Sequence, residues 1–124
     1  MAKDIDAGRC ACSIVHEGAV DLARAAELPT ATLLSASELF KVLGDPTRLR
    51  IVGALAAAGE LCVCDLSAAL DMSQSAISHQ LAILRRARLA RFRRDGKSAV
   101  YTLDDGHVGE LLAVATAHAN EGKD

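Results

Sequence analysis

One hundred and twenty-four residues, 51% of them hydrophobic and 24% charged, suffice for one domain with its own core and are too few for two. The net charge of -2 is unpromising for a nucleic-acid binder taken as a whole, and aromatics at 2%, with no Trp, exclude the stacking platforms of single-strand and RNA-recognition folds. Twenty-four alanines and abundant Leu favour helix, because these residues lose little conformational freedom there. The longest strongly apolar stretch, 51–58, is far below the roughly 18 residues that span a bilayer. The start MAKDIDAG carries three charges where a secretory leader needs an apolar run, so a soluble cytoplasmic protein without a membrane partner is expected.

In chain order, residues 1–16 lack periodicity and read as an arm that carries Cys10 and Cys12, with the domain proper at 17–124. Glu17 to Leu28 reads as a short amphipathic helix closed by Pro29 and a Thr/Ala linker, and Ser35 to Gly44 as a second, with Leu39, Val42 and Leu43 on one face. Asp45-Pro46 is a helix start: Asp caps an early amide, and Pro at the first helical position lacks only an N–H that has no partner there. That helix is expected to end at Gly59. Glu60 to Leu70 reads as a further helix with Leu66, Ala69 and Leu70 on one face. Asp71-Met72-Ser73 is then a tight turn into another helix capped by Ser73, which together make a helix-turn-helix.

In the second helix of that pair Ile77, Leu81 and Leu84 recur at core spacing. The opposite stripe is Gln74, Ser75, Ser78, His79, Ala82, Arg85 and Arg86, with short hydrogen-bonding groups first and guanidinium groups last. Such a face suits a major groove, although an ordinary solvated helix face reads the same way in isolation. Seven of the 14 basic residues lie between Arg85 and Lys97, where the only acid is Asp95. Two strand-like runs flank Asp95-Gly96, a hairpin signal whose tip carries Arg94 and Lys97. A helix-turn-helix followed by a basic hairpin is a winged helix, so the expected fold is mainly α with a small β-hairpin. A last helix from Asp105 to about Asn120 shows Val108, Leu111, Leu112, Ala115 and Ala119, a stripe that a homodimer partner is expected to cover.

These residues resemble the ArsR/SmtB family of dimeric winged-helix metal-sensing repressors. The resemblance rests on FKVLGDPTRLRIVGAL at 40–55, ELCVCDL at 60–66, SQSAISHQLAILRRARL at 73–89 and RRDGKSAVYTL at 93–103, in the family's order, and covers about residues 36–121. It implies a homodimer on double-stranded operator DNA, released when metal binds, with Ser73 joining the DNA-contacting set.

Cys62-Val63-Cys64 resembles the metal-box of the family's cadmium- and lead-sensing branch, which pairs these thiolates with cysteines of an N-terminal arm. Cys10 and Cys12 are the counterparts here. Their spacing is tighter than that branch implies, so His16 stands as the alternative donor. Thiolates are soft ligands, which suits Cd(II), Pb(II) or Zn(II) as the regulatory ion. Structural thiols or an oxidisable dithiol are the other readings of a Cys-x-Cys pair.

Asp105-x-His107 and His118-x-x-Glu121 match the family's zinc-sensing pattern. His107 and His118, 11 residues apart, are separated by ~16 Å along a helix, too far to share one ion within it. Eleven steps of ~100° return within ~20° of the starting direction, so both lie on one face. If two copies pack antiparallel about a two-fold axis near Leu112 and Ala113, Asp105 and His107 of one protomer meet His118 and Glu121 of its partner, a nitrogen and oxygen set that suits Zn(II). A solvated rim is the plainer reading of the same residues. A zinc hydrolase is disfavoured because there is no HExxH, no Gly-rich phosphate loop and no Ser/His/Asp order, so neither an enzyme nor a catalytic cofactor is expected. A thiol redox-responsive repressor on the same scaffold remains the alternative.

Overall fold

The computed structural model describes residues 8–122, so the first seven residues of the expected arm lie outside the described residues. The chain divides into two units, 1–32 and 33–124. In chain order the elements are α1 (Glu17–Ala25), α2 (Thr30–Leu43), α3 (Pro46–Ala58), β1 (Leu61–Cys62), α4 (Val63–Leu70), α5 (Gln74–Arg86), β2 (Ala90–Asp95), β3 (Ser98–Leu103) and α6 (Gly106–Asn120).

The structure departs from the sequence reading in several places, and α1 ends at Ala25 rather than Leu28. The Thr/Ala linker after Pro29 is helical from Thr30, since TATLL holds good helix formers and Pro29 lies outside the helix. The helix expected from Glu60 begins only at Val63, because Leu61 and Cys62 pair antiparallel with Tyr101 and Val100. The expected hairpin is therefore part of a three-stranded sheet of order β1-β3-β2. On α6, Val108 and Leu112 pack on the core, whereas Leu111, Val114, Ala115 and Ala119 are exposed.

The helix boundaries follow capping chemistry. Asp45 Oδ2 accepts from Arg48 N at 3.0 Å with Pro46 at the first helical position, and Gly59 ends α3 at φ +87°, its N–H donating to Leu55 O at 2.9 Å. The turn between α4 and α5 is held from three sides. Asp71 adopts the left-handed φ of 54°, Ser67 Oγ donates to Met72 O, and Arg50 Nη2 donates to Leu70 O at 2.7 Å. Ser73 Oγ then accepts from Ala76 N at 3.0 Å and starts α5.

The core gathers Ile51, Val52 and Leu55 of α3, Leu66 of α4 and Ile77, Leu81 and Leu84 of α5, each at most 1% exposed. Val42, Leu89, Ala90, Tyr101 and Val108 close it. Arg48 spans the packing, donating from Nε to Val42 O at 2.7 Å and from Nη1 to Gln80 Oε1 at 3.2 Å, which joins the end of α2 to α5. Leu81→Ala is expected to cost about 2–5 kcal/mol through reduced burial and the cavity left behind. Asp45→Ala, which removes only a cap, is expected to cost about 0.5–2 kcal/mol. Urea unfolding at one fixed protein concentration checks the order; equal losses would contradict this division between core and cap.

Candidate functional site

Burial of Ile77, Leu81 and Leu84 turns the other face of α5 outward, and Gln74, Ser75, Ser78, His79, Arg85 and Arg86 are all exposed there. Ser73 is exposed as well, its Oγ occupied as an acceptor by the helix cap. The guanidinium of Arg85 lies 4.4 Å from the centroid of the Phe92 ring, and Phe92 stacks on Tyr101 across the strands at 5.3 Å. These contacts join the C-terminal end of α5 to the wing.

In the wing, Asp95 pairs with Ser98, so the two turn residues are Gly96 and Lys97 rather than Asp95 and Gly96. Gly96 takes φ +61°, as a primed two-residue turn requires. Arg94 and Lys97 are exposed. Arg93 is committed elsewhere: its Nη2 lies 3.1 Å from both Glu60 carboxylate oxygens, and Nη1 lies 3.8 Å from Asp95. Sequence reasoning passed over Glu60. Its partner lies 33 positions away and comes near only once β1 joins the sheet.

The Cys62-Val63-Cys64 segment straddles the end of β1 and the start of α4. Cys62 is the N-cap of α4, and its backbone N–H donates to Asp65 Oδ2 at 3.1 Å. The Cys62 side chain, and then its backbone N–H, hold the Asp65 carboxyl below its usual range. Cys62 is half-buried, Cys64 is exposed, and both are free thiols. Gln74 Nε2 donates to Cys64 Sγ at 3.5 Å, a contact that the sequence did not suggest. In the arm Cys10 and Cys12 are exposed free thiols, and the Cys12 side chain, then its backbone, lower the Cys10 thiol from its usual value. His16 is the N-cap residue of α1.

On α6, Asp105 caps the helix by accepting from His107 N at 2.9 Å, and its carboxylate lies 3.4 Å from His107 Nδ1. At the other end His118 Nδ1 lies 3.2 Å from Glu121 Oε2. The two imidazoles are 84% and 85% exposed, and each uses Nδ1 toward its carboxylate, leaving Nε2 for another partner. Each carboxylate thus lies beside the imidazole at its own end of α6. Among the described residues no three His, Cys, Asp or Glu side chains converge on a point that could hold a metal ion. Among the same residues no helix is long and apolar enough to cross a membrane.

A capped helix-turn-helix with a basic hairpin beside its second helix defines a winged-helix DNA-binding protein. The family described as "Bacterial regulatory protein, arsR family" matches residues 45–91, which run from the cap of α3 into β2. The "Transcriptional repressor SmtB homolog" of Synechocystis sp. is 51% identical over 85 residues, which span 68% of this chain and 64% of that protein's length. The "Cadmium resistance transcriptional regulatory protein CadC homolog" of Staphylococcus aureus is 36% identical over 121 residues, 98% of this chain and 96% of that one. The solution structure of the homodimeric winged helix-turn-helix domain Mb0332 from Mycobacterium bovis is similar at a TM-score of 0.68 and 26% identity, covering 80% of this chain and 94% of that one. The chain belongs to the ArsR family, the family of metal-responsive transcriptional repressors that its motifs resemble.

Arg94→Ala and Lys97→Ala are expected to weaken binding to all duplexes alike and to reduce the slope of log affinity against log salt by about 0.9 for each phosphate that is no longer neutralised. Ser78→Ala or His79→Ala should instead relax sequence preference. Fluorescence anisotropy on matched and scrambled duplexes at several salt concentrations separates the two classes. Binding that ignored salt would contradict the interface.

Proposed function

We propose that the chain represses transcription in the cytoplasm as a homodimer on operator DNA, and leaves the operator when it binds Cd(II), Pb(II) or Zn(II). In this reading its role is regulatory, without a catalytic step. Ser73, Gln74, Ser75, Ser78 and His79 face the groove, while Arg85, Arg86, Arg94 and Lys97 neutralise phosphates. The arrangement on α6 carries the proposal: a carboxylate and imidazole half-set at each end, with exposed Leu111 and Val114 between them. Half-sets that are each too small for a metal, on a helix with an uncovered apolar face, suit completion by a second copy.

Two ligand sets follow. Asp105 and His107 of one protomer with His118 and Glu121 of its partner offer two nitrogens and two carboxylates, a set suited to Zn(II). Cys62 and Cys64, with Cys10 and Cys12 or with His16 in place of Cys10, offer a thiolate-rich set suited to Cd(II) or Pb(II). The similarity to a cadmium resistance regulator over nearly the whole chain supports the second set.

Cd(II) is expected to produce an intense ultraviolet sulfur-to-metal charge-transfer band that Cys62→Ser or Cys64→Ser largely removes, and the apparent affinity should fall as pH falls because protons compete for the thiolates. An unchanged spectrum in Cys62→Ser would overturn this site. A thiol redox-responsive repressor is the second reading, favoured by the lowered Cys10 thiol beside Cys12. Operator release by oxidant in metal-free buffer would select it.

The α6 site has its own test, made with all four cysteines changed to Ser. Homodimers of His107→Ala or of His118→Ala have two damaged sites each. A heterodimer of the two variants contains one doubly damaged site and one whole site, so it should recover one high-affinity zinc site in competition with a chelating dye. No recovery would rule out sharing between protomers.

A further inference from the structure

Gln74 stands where the two chemistries of the chain meet. It is the first residue of α5 and is exposed at the start of the groove-facing stripe, yet its amide donates to Cys64 Sγ, on the second residue of α4. The turn between the two helices is fixed by the Asp71, Ser67 and Arg50 contacts, so the spacing of residues 64 and 74 is set by the fold. One amide N–H₂ group thus has two competing acceptors: a sulfur within the protein and a base edge in the groove. Gln reads adenine through paired bonds to N6 and N7, which needs that same amide group.

The balance between the acceptors depends on the state of the sulfur. A neutral thiol is a weak acceptor, so the Gln74 amide leaves it for DNA at little cost. A thiolate holding a metal carries negative charge, and bonds to charged acceptors are about twice as strong as neutral ones. Cys64 in that state retains the Gln74 amide. The same reasoning gives the sign of the regulation, because holding Gln74 on sulfur weakens only operator binding.

We infer that Gln74 is the positioning residue that reports occupancy of the thiol site to the DNA-reading face, by exchanging its amide between Cys64 and a base edge. The inference rests on the proposed thiolate site. By linkage, operator DNA lowers metal affinity at Cys64 by the same factor by which metal lowers operator affinity.

Gln74→Met, which keeps length and removes the donor, is the test, made with His107→Ala and His118→Ala in the background so that Cd(II) reads the thiols alone. The measured quantity is the ratio of operator Kd with and without Cd(II), at fixed salt. Gln74→Met should weaken metal-free operator binding by about tenfold, because the bond to a base edge is missing. It should also shrink the cadmium-induced ratio severalfold. The charge-transfer band should keep its intensity in Gln74→Met and move to lower energy, since the thiolate loses an N–H donor. An unmoved band overturns the contact, and an unchanged ratio overturns its regulatory role; in both cases the thiolate site stands. Absence of the band from the wild-type protein overturns the site itself, and the inference with it.

Discussion

Burial of Ile77, Leu81 and Leu84 against Ile51, Val52, Leu55 and Leu66 is the constraint on which the rest depends. A helix has one azimuth to spend, and once these residues face the core the stripe from Gln74 to Arg86 faces solvent. The sequence of that stripe then becomes chemistry: hydroxyls, an amide and an imidazole toward the N-terminus and guanidinium groups toward the C-terminus. Positive charge at the C-terminal end also complements the helix dipole, so Arg85 and Arg86 there cost the helix nothing in stability.

The segment from Glu60 to Cys64 is short, but it touches both α5 and the wing. Its strand residues pair with β3, the inner strand of the sheet, and Glu60 reaches across to Arg93 on β2. Its helical end presents Cys64 to Gln74. The exposed Glu60–Arg93 ion pair contributes about 0–1 kcal/mol, too little to matter to overall stability. It matters for charge placement, because it pairs Arg93 with an acid, whereas Arg94 and Lys97 are exposed cations near the wing tip. A chain of net charge -2 thereby carries exposed positive charge at the end of α5 and in the wing.

What was legible in the sequence was local. Asp45-Pro46, Gly59 and Ser73 announce helix ends because caps act within four residues, and the i, i+4, i+7 spacing of Ile77, Leu81 and Leu84 names the buried face directly. β1 was not legible. A two-residue strand has no periodicity of its own, and Leu61 and Cys62 extend because Tyr101 and Val100, far along the chain, supply the ladder. Helix α2 beginning at Thr30 was hidden by Pro29, which reads as a breaker when it marks a start. Glu60–Arg93 and Cys64–Gln74 were invisible for a further reason: each needs a register or an inter-helix turn to be fixed before its partners meet. The candidate ligand residues were readable from type and spacing, while the contacts that join Cys64 and Glu60 to neighbouring elements were not.

The uncovered surface of the larger unit bears on both halves of the proposed function. Phe40, 62% exposed, lines a groove of about 210 Å³ together with Leu43, Leu49, Val108, Leu111 and Ala115, and Val114 on the same helix as Leu111 is 69% exposed. Leaving such side chains in water forfeits about 25 cal/mol for each Å² that a partner surface could cover. A monomer offers one reading helix, too few for two half-sites, and one imidazole at each end of α6, too few for a zinc site. In the proposed homodimer a two-fold pairing along α2 and α6 would resolve all three deficits at once. It would cover the apolar groove, double the reading heads and bring His107 of each protomer to His118 of its partner. In that proposed pairing metal and operator would be linked through one interface, since an ion that changed the angle at which the α6 helices cross would also change the spacing of the two α5 helices, the quantity that a two-half-site operator measures.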